Sequence, residues 1–281
     1  MPEAPESAKT PLYEAQHTLR YQRQDQIRNY EAAYPCRLIV YVDAIFPYGV
    51  TLLEELLFDA EPSLDIHLLL ASLGGDGETA IRILRSIHAR TKKLSVIVPD
   101  QAKSAATLLA LGAHEIITGP TSDLGPIDPQ MQLPSKPNTL VAAKDIVAAV
   151  EDAAAKVHQA PETYPLYASL LSDVTAILLQ QARSALGRSD DQLRLALESC
   201  PGRTASDIDN LFNNLKPVLI AGAKAHTAVF GASEATKAGL PIKELKSSDH
   251  QWQMIWKLWT QYYNLRLRVY ESARASQVFP S

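Results

Sequence analysis

The sequence has few cysteines, and they form no pattern that indicates a disulfide framework or a metal site. Cys36 and Cys200 are the two cysteines among 281 residues, and neither belongs to a CxxC motif or a Cys/His cluster. No HExxH motif is present, and the glycine segment SLGGDG lacks the GxGxxG order and the GK[ST] ending of nucleotide-binding loops. We therefore expect no metal and no cofactor, and a reducing compartment.

The chain also lacks a basic excess and a long apolar run. Its 27 lysines and arginines stand against 31 acidic residues, a net charge of −4, which gives no broad basic surface for a nucleic acid. Acidic residues and prolines occupy the first 16 residues, where a signal peptide would need a basic end and an apolar stretch. Charges interrupt every apolar run before the roughly 20 residues that span a bilayer. These absences predict a cytoplasmic protein without an integral membrane segment.

What the sequence does contain is a repeated alternation of strand and helix patterns. Short β-branched and aliphatic runs that suit buried strands precede amphipathic or apolar runs that suit helices, three times in succession. The strand runs are CRLIVYVDA at 36–44, LDIHLLLASL at 64–73, LSVIVPDQ at 94–101 and HEIITG at 114–119. This order predicts an α/β fold with a largely parallel sheet that is covered on both faces.

The second half of the chain is mainly helical in its pattern. TLVAAKDIVAAVEDAAAKVHQ, at 139–159, and the residues that follow to about Ala225 show helical spacing and no strong strand signal. We predict a disordered tail at 1–17, a main α/β domain at 18–245 with a helical insertion around 185–225, and one long helix at 246–281. On that last helix Trp252, Trp256, Trp259, Tyr263 and Tyr270 form an aromatic stripe, which predicts packing on its own domain or a subunit contact.

Two segments between a strand and a helix are suited to chemistry. In SLGGDG (72–77), Gly74 and Gly75 lack side chains, so their backbone N–H groups can approach a bound carbonyl closely. In AKSAATLLALGA (102–113), Ser104 lies at a helix N-terminus, where unpaired amides favour a developing oxyanion. Each segment also has an ordinary structural interpretation, since serine commonly caps helices and GG is a common tight turn.

Together these segments and LGPIDPQ at 124–130 resemble the serine dehydrogenase proteinase family. That family belongs to the Clp protease and crotonase superfamily and is related to signal peptide peptidase A. ASEATKAGLPIKEL at 232–245 is a looser match. The resemblance implies a Clp/crotonase-like spiral of strand–strand–helix units, with Ser104 as the nucleophile, the N–H groups of Gly75 and Ala105 as oxyanion donors, and Gly74 and Asp128 as supports of the turn.

The general base is less clear from the sequence. Clp proteases use a histidine that would fall in the LGPIDPQ loop, where this chain has Asp128 and Gln130 instead. Membrane-associated relatives use a lysine some tens of residues after the serine, which Lys144 matches. Burial disfavours the charged form of an amine, so a lysine among alanines and valines can accept a proton near neutral pH. A solvated Lys144 paired with Asp145 or Glu151 is the competing interpretation, and Lys103 is the alternative base.

The leading hypothesis is an ATP-independent serine peptidase, of the Ser/Lys type, that acts on peptides or unfolded protein. One alternative is a catalytically silent scaffold that keeps the fold and its assembly surfaces, which the missing histidine favours. A third is a crotonase-type acyl-CoA enzyme, in which the oxyanion hole would stabilise an enolate and a carboxylate such as Asp128 would act instead of the serine. Because relatives of this fold assemble into rings or stacks, we also expect a homo-oligomer.

Overall fold

The computed structural model describes residues 10–133, 136–222, 229–265 and 267–280. Its strands are β1 (Cys36–Val42), β2 (Asp65–Ala71), β3 (Leu94–Val98), β4 (Gln101–Ala102), β5 (Glu115–Thr118), β6 (Asp123–Leu124), β7 (Gln130–Leu133), β8 (Lys136–Ala142), β9 (Ile242–Glu244), β10 (Leu267–Glu271) and β11 (Ser276–Pro280). Its α-helices are α1 (Pro11–Ala33), α2 (Pro47–Leu57), α3 (Gly77–His88), α4 (Ala105–Leu111), α5 (Ala143–Gln159), α6 (Tyr164–Leu170), α7 (Ala176–Glu198), α8 (Ala205–Lys216), α9 (Ala232–Lys237) and α10 (His250–Leu265). A 3₁₀ turn at Pro161–Thr163 and a π-helical turn at Pro217–Ala221 complete the described helical segments.

Seven strands form one sheet in the order β11-β10-β1-β2-β3-β5-β9. The five strands from β1 to β9 are parallel, whereas β10 runs antiparallel to β1 and β11 runs antiparallel to β10. The central strands are apolar along almost their whole length because helices cover both faces of the sheet. Helices α2, α3 and α4 pack on one face, and α1 and α10 pack on the other. The predicted α/β fold with a largely parallel sheet is confirmed.

A hairpin and a helix replace the single helix predicted at 139–159. Residues up to Ala142 form β8, which pairs antiparallel with β7, and α5 begins at Ala143. The β-branched and aliphatic TLVA suits a strand as well as a helix, and β7 supplies the partner that decides the outcome. The hairpin leads directly out of the LGPIDPQ loop, where the N–H of Ala143 donates to the carbonyl of Pro129 at 2.9 Å.

The stretch predicted as a helical insertion, 185–225, is helical as far as it is described. It contains the second half of α7, all of α8 and the turn that ends at Ala221, while residues 223–228 lie outside the described residues. A capping box between Thr204 and Asp207 fixes the start of α8. That this stretch is an insertion into the domain stays a prediction.

The prediction of one long helix at 246–281 is wrong beyond Leu265. Helix α10 ends there, and the chain returns as the two antiparallel strands β10 and β11. Tyr270 has helical spacing to the aromatic residues of α10, but the free edge of β1 provides hydrogen-bonding partners that a continued helix would leave unused. Trp252 and Trp259 are buried against the sheet, whereas Trp256 and Tyr263 are exposed, so the aromatic stripe divides between core and surface.

The prediction of a disordered tail at 1–17 is also partly wrong. Residues 1–9 lie outside the described residues, but α1 already begins at Pro11, a residue type that suits the first position of a helix. The helix continues to Ala33, and its buried residues contact α10 and the sheet. The start of this helix is exposed, and packing of its later residues, from Arg23 onward, stabilises the helix as a whole.

Candidate active site

Ser104 has an unusual backbone conformation immediately before α4. Its φ of 51° makes it the one non-glycine residue with positive φ in the described part of the chain, and its side chain makes no capping hydrogen bond. Such conformations cost about 1–3 kcal/mol and persist where the surroundings impose them. The structural interpretation of Ser104 as an ordinary N-cap is therefore not supported, because the hydroxyl is not used for capping.

The surroundings of Ser104 fix this conformation through backbone bonds to the LGPIDPQ loop. The N–H of Ser104 donates to the carbonyl of Pro126 at 3.1 Å, and the N–H of Gly125 donates to the carbonyl of Ala102 at 2.9 Å. The fully buried Thr107 hydroxyl lies 2.8 Å from the carbonyl oxygens of Ala102 and Gly125. Two of the sequence motifs therefore form one bonded unit in the fold.

The glycine turn lies beside this unit because β2 and β3 are neighbouring parallel strands. Gly74 and Gly75 have φ values of 100° and 143°, which residues with a Cβ rarely adopt. A Cβ on Gly74 would lie 2.6 Å from the Cβ of Ser104, so the turn and the serine are in close contact. No hydrogen-bond acceptor for the N–H of Gly75 or of Ala105 occurs among the described residues, so both donors remain available.

A cleft of about 390 Å³ joins these groups. The cleft is lined by Ser104, Gly75, Ala105 and Asp128. Residues that follow adjacent parallel strands are expected to meet in this way, at one edge of the sheet. The other lining residues come from the glycine turn, α4, the LGPIDPQ loop, β8 and α7: Leu73, Gly77, Leu108, Ile127, Pro129, Gln130, Leu140, Ser189 and Gln192.

Asp128 connects the cleft to Lys144. Asp128 is 1% exposed, and its Oδ2 lies 3.5 Å from Nζ of Lys144 and accepts a hydrogen bond from Nε2 of Gln130 at 3.0 Å. The predicted alternative partners of Lys144, Asp145 and Glu151, are both exposed on α5. Lys144 is thus neither a bare buried amine nor a solvated side chain, since the buried carboxylate of Asp128 lies beside its Nζ.

Lys103 has a different environment from Lys144. Its side chain is buried, its Nζ forms an ion pair with Asp123, and its stem packs against Gly125. Asp123 also accepts a hydrogen bond from the N–H of Phe230 at 3.0 Å. Neither lysine is among the described residues that line the cleft. Lys144 pairs with Asp128, which does line it, whereas Lys103 pairs with Asp123, which does not. This placement disfavours Lys103 as the alternative base.

Helix α7 contributes a wall of the cleft that the sequence analysis missed. Ser189 is buried on this helix, and Gln192 donates to Oε1 of Glu78 at 3.0 Å, next to the glycine turn. Both residues lie more than 80 positions after Ser104 in a segment without a motif, so no local signal identified them. Arg203 stabilises both helices, because its guanidinium donates to carbonyls at the C-terminal ends of α4 and α7.

The described residues contain neither a cluster of metal-binding side chains nor a helix suited to span a membrane. In the ranges that the structure covers, no group of three or more histidine, cysteine, aspartate or glutamate side chains is placed to hold a metal ion. None of the helices in the described part of the chain combines the length and apolar character needed to cross a bilayer.

A family model for the ClpP-like SDH-type serine proteinase matches residues 58–185 of this chain. The matched segment is less than half of the chain. The family segment contains Gly75, Ser104, Ala105, Asp128 and Lys144, so every proposed site residue falls within it. Ser189 and Gln192 line the cleft from α7 and lie beyond the residues of this chain that the family model matches.

Two proteins of Methanocaldococcus jannaschii are similar to this chain in sequence. The uncharacterized protein MJ0137 is 29% identical over 178 residues, which cover 63% of this chain and 53% of that protein. The uncharacterized protein MJ1495 is 35% identical over 66 residues, which cover 24% of this chain and 23% of that protein. The chain thus matches about half the length of the first relative and about a quarter of the second.

Among solved structures, a serine-to-alanine mutant of the 1510-N membrane-bound stomatin-specific protease is similar to this chain. The match has a TM-score of 0.41 and 19% sequence identity, and it covers 80% of this chain and 85% of that chain.

Proposed function

We propose that this chain is an ATP-independent serine peptidase with Ser104 as its nucleophile. The observation that carries the proposal is that Ser104, in its strained conformation, shares one cleft with two unused backbone donors, the N–H groups of Gly75 and Ala105. The match of residues 58–185 to the model of a serine proteinase family supports it. The proposed substrates are peptides or unfolded protein segments, the proposed location is the cytoplasm, and the proposed state is a homo-oligomer.

The proposed reaction forms and breaks one ester bond. Oγ of Ser104 attacks the peptide carbonyl carbon, while the unprotonated amine of Lys144 accepts the hydroxyl proton and becomes an ammonium group beside the Asp128 carboxylate. The N–H groups of Gly75 and Ala105 stabilise the oxyanion of the tetrahedral intermediate. The C–N bond then breaks, with the proton passing from Lys144 to the leaving amine, and water hydrolyses the acyl-serine in a second addition that regenerates the hydroxyl.

The direct test is labelling with a fluorophosphonate probe, followed by mass mapping of the modified peptide. We expect the probe to modify Ser104 and expect Ser104→Ala to remain unlabelled, because the probe forms a covalent bond to an activated serine oxygen. Ser189→Ala is the matched control, since Ser189 is a second serine that lines the cleft. It should keep the label. Absence of labelling in the wild type, where a reference serine hydrolase is labelled, would refute the hydrolase and favour the scaffold.

The glycine turn permits a separate test of the oxyanion hole. A Cβ on Gly75 would overlap the carbonyl oxygen of Ile45, so Gly75→Ala must displace the turn that carries the proposed donor. Losing one oxyanion donor lowers rates by about 100- to 1,000-fold, and we expect a decrease of that size in the labelling rate of Ser104.

Gly202→Ala is the control for Gly75→Ala. Gly202 also has a positive φ, of 86°, but no atom lies within 4 Å of the position of an added Cβ. This variant bears the backbone cost of alanine at positive φ, about 1–2 kcal/mol, without displacing a neighbour. Its labelling rate should match the wild type, and an equal loss in both variants would contradict a specific role for Gly75.

A further inference from the structure

A buried carboxylate lies close to the glycine turn but outside the cleft. Asp43 directly follows β1 and is 9% exposed. Its Oδ2 accepts hydrogen bonds from the hydroxyls of Tyr48 at 2.7 Å and of Tyr270 at 2.8 Å, and its Oδ1 accepts from the N–H of Ala44 at 2.7 Å. This one carboxylate therefore connects the end of β1 with the first turn of α2 and with β10.

The segment that Asp43 holds is bonded directly to the glycine turn. The N–H of Ile45 donates to the carbonyl of Gly74 at 2.8 Å, and the carbonyl of Ile45 accepts from the N–H of Asp76 at 2.7 Å. Ile45 and Gly75 thus form a parallel bridge, with the proposed oxyanion donor between the two bonds. The position of the Gly75 N–H depends on where Ile45 lies.

Residue 44 lies between the carboxylate and this bridge, and both of its backbone groups are bonded. Its N–H donates to Asp43, and its carbonyl accepts from the hydroxyl of Tyr41 at 3.3 Å. The ring of Tyr41 contacts that of Tyr270 edge to face, with centroids 4.7 Å apart. A Cβ on Gly49 would overlap the Tyr41 hydroxyl, so this position accommodates glycine and not a larger residue. The segment between β1 and α2 is consequently fixed at each backbone group from Ala44 to Ile45.

We infer that Asp43 is a positioning residue for the oxyanion hole: through Ala44 and Ile45 it fixes the turn that presents the Gly75 N–H. The expected effect of Asp43 on the reaction rate rests on the proposed function. Its expected effect on the conformation of the turn does not. Asp43 does not line the catalytic cleft, so it acts on the reaction through the backbone and not by contact with substrate.

Asparagine is the informative substitution at this position because it keeps the shape and removes acceptors. The carboxylate accepts three hydrogen bonds, whereas the asparagine NH₂ group can only donate. Burial, with the nearby Tyr41 and Asp43, raises the pKa of Tyr270, so its hydroxyl remains protonated and requires an acceptor. In Asp43→Asn, at least one of the three donors loses its acceptor, and the segment after β1 must shift or loosen.

The rate experiment measures fluorophosphonate labelling of Ser104 in Asp43→Asn as a function of pH, well below the unfolding temperature. Small misplacements of catalytic groups lower rates by up to about 100-fold, and we expect a 10- to 100-fold decrease with an unchanged pH profile. Asp59→Asn is the matched control, because Asp59 accepts hydrogen bonds from Arg37 and Arg274 and, among the described residues, forms no bond to the segment after β1 or to the turn. Its labelling rate should equal that of the wild type.

Amide hydrogen exchange tests the turn without reference to activity. In Asp43→Asn we expect faster exchange at the amides of Ile45 and Asp76, which form the bridge, and unchanged exchange in β2 and β3. Unchanged protection at those two amides would overturn the inference, as would a wild-type labelling rate in Asp43→Asn. Lost protection in a protein whose wild type is never labelled would support positioning of the turn and reject the peptidase, so the two failures are distinguishable.

Discussion

Lys144→Met should lower the labelling rate of Ser104 at neutral pH by about 100- to 10,000-fold, the range that general bases contribute. Lys144 reaches the cleft through Asp128, a residue that lines the cleft and whose buried carboxylate lies 3.5 Å from the lysine Nζ. Methionine keeps most of the apolar stem of the side chain but removes the ammonium group. Because the buried Asp128 carboxylate loses this partner, we expect a lower unfolding temperature as well, so the labelling rate is measured well below it, where the folded variant should lose the neutral-pH rate.

Two further substitutions assign the roles within the pair. Lys156→Met, on the exposed face of the same helix, should label like the wild type. Asp128→Asn should also lose activity, because the lysine then has no buried carboxylate to hold it at the cleft.

Some outcomes would contradict Lys144 as the base. If Lys144→Met retained the wild-type rate while Asp128→Asn lost it, the carboxylate alone would take the serine proton. If Lys103→Met lost the rate instead, the base would be the lysine that pairs with Asp123. Loss of rate in Lys103→Met with a matching drop in unfolding temperature would instead indicate a structural role.

The sequence alone was sufficient to predict that Ser104 and Gly75 meet. Each lies just after an apolar strand, and the two strands, β2 and β3, are neighbours in the sheet. Because parallel strands end at the same edge, two local motifs become one site without any long-range information. The strand–helix order before Gly119 was predictable for the same reason, since local periodicity decides it.

The parts that sequence reasoning missed depend on contacts between distant segments. Ser189 joins the cleft because α7 packs across α3 and α4, and the pairing of Lys144 with Asp128 depends on the β7–β8 hairpin between them. The C-terminal strands are the clearest case. LRVYE alternates apolar and polar residues over too few positions to distinguish a strand from the end of a helix, and the edge of β1 decides between them.

A buried ion pair holds β10 against α1 and α10. Glu271, at the end of β10, is fully buried, and its carboxylate accepts hydrogen bonds from Nε of Arg23 at 2.9 Å and from the hydroxyl of Tyr262 at 2.5 Å. Burial and the adjacent carboxylate raise the pKa of Tyr262, which keeps its hydroxyl as a donor. One carboxylate thus connects α1, α10 and β10.

Glu271→Gln should destabilise the protein by about 3–5 kcal/mol, because it leaves the buried guanidinium of Arg23 without a charged partner. The measurement is urea unfolding, with a lower midpoint at an unchanged m-value. Asp209→Asn is the control, since its pair with Arg194 is exposed and such pairs contribute about 1 kcal/mol or less.

A double substitution, Arg23→Met with Glu271→Met, distinguishes the ion pair from simple packing. Removing both charges should cost less stability than Glu271→Gln alone, because no buried charge is left unpaired. Equal or greater loss in the double variant would show that the pair itself, and not the unpaired charge, accounts for the effect. Since β10 also carries Tyr270, which donates to Asp43, Glu271→Gln should additionally weaken the hydrogen-exchange protection of Ile45 and Asp76. The C-terminal strands β10 and β11 would then stabilise the glycine turn that presents the Gly75 N–H, in addition to the fold.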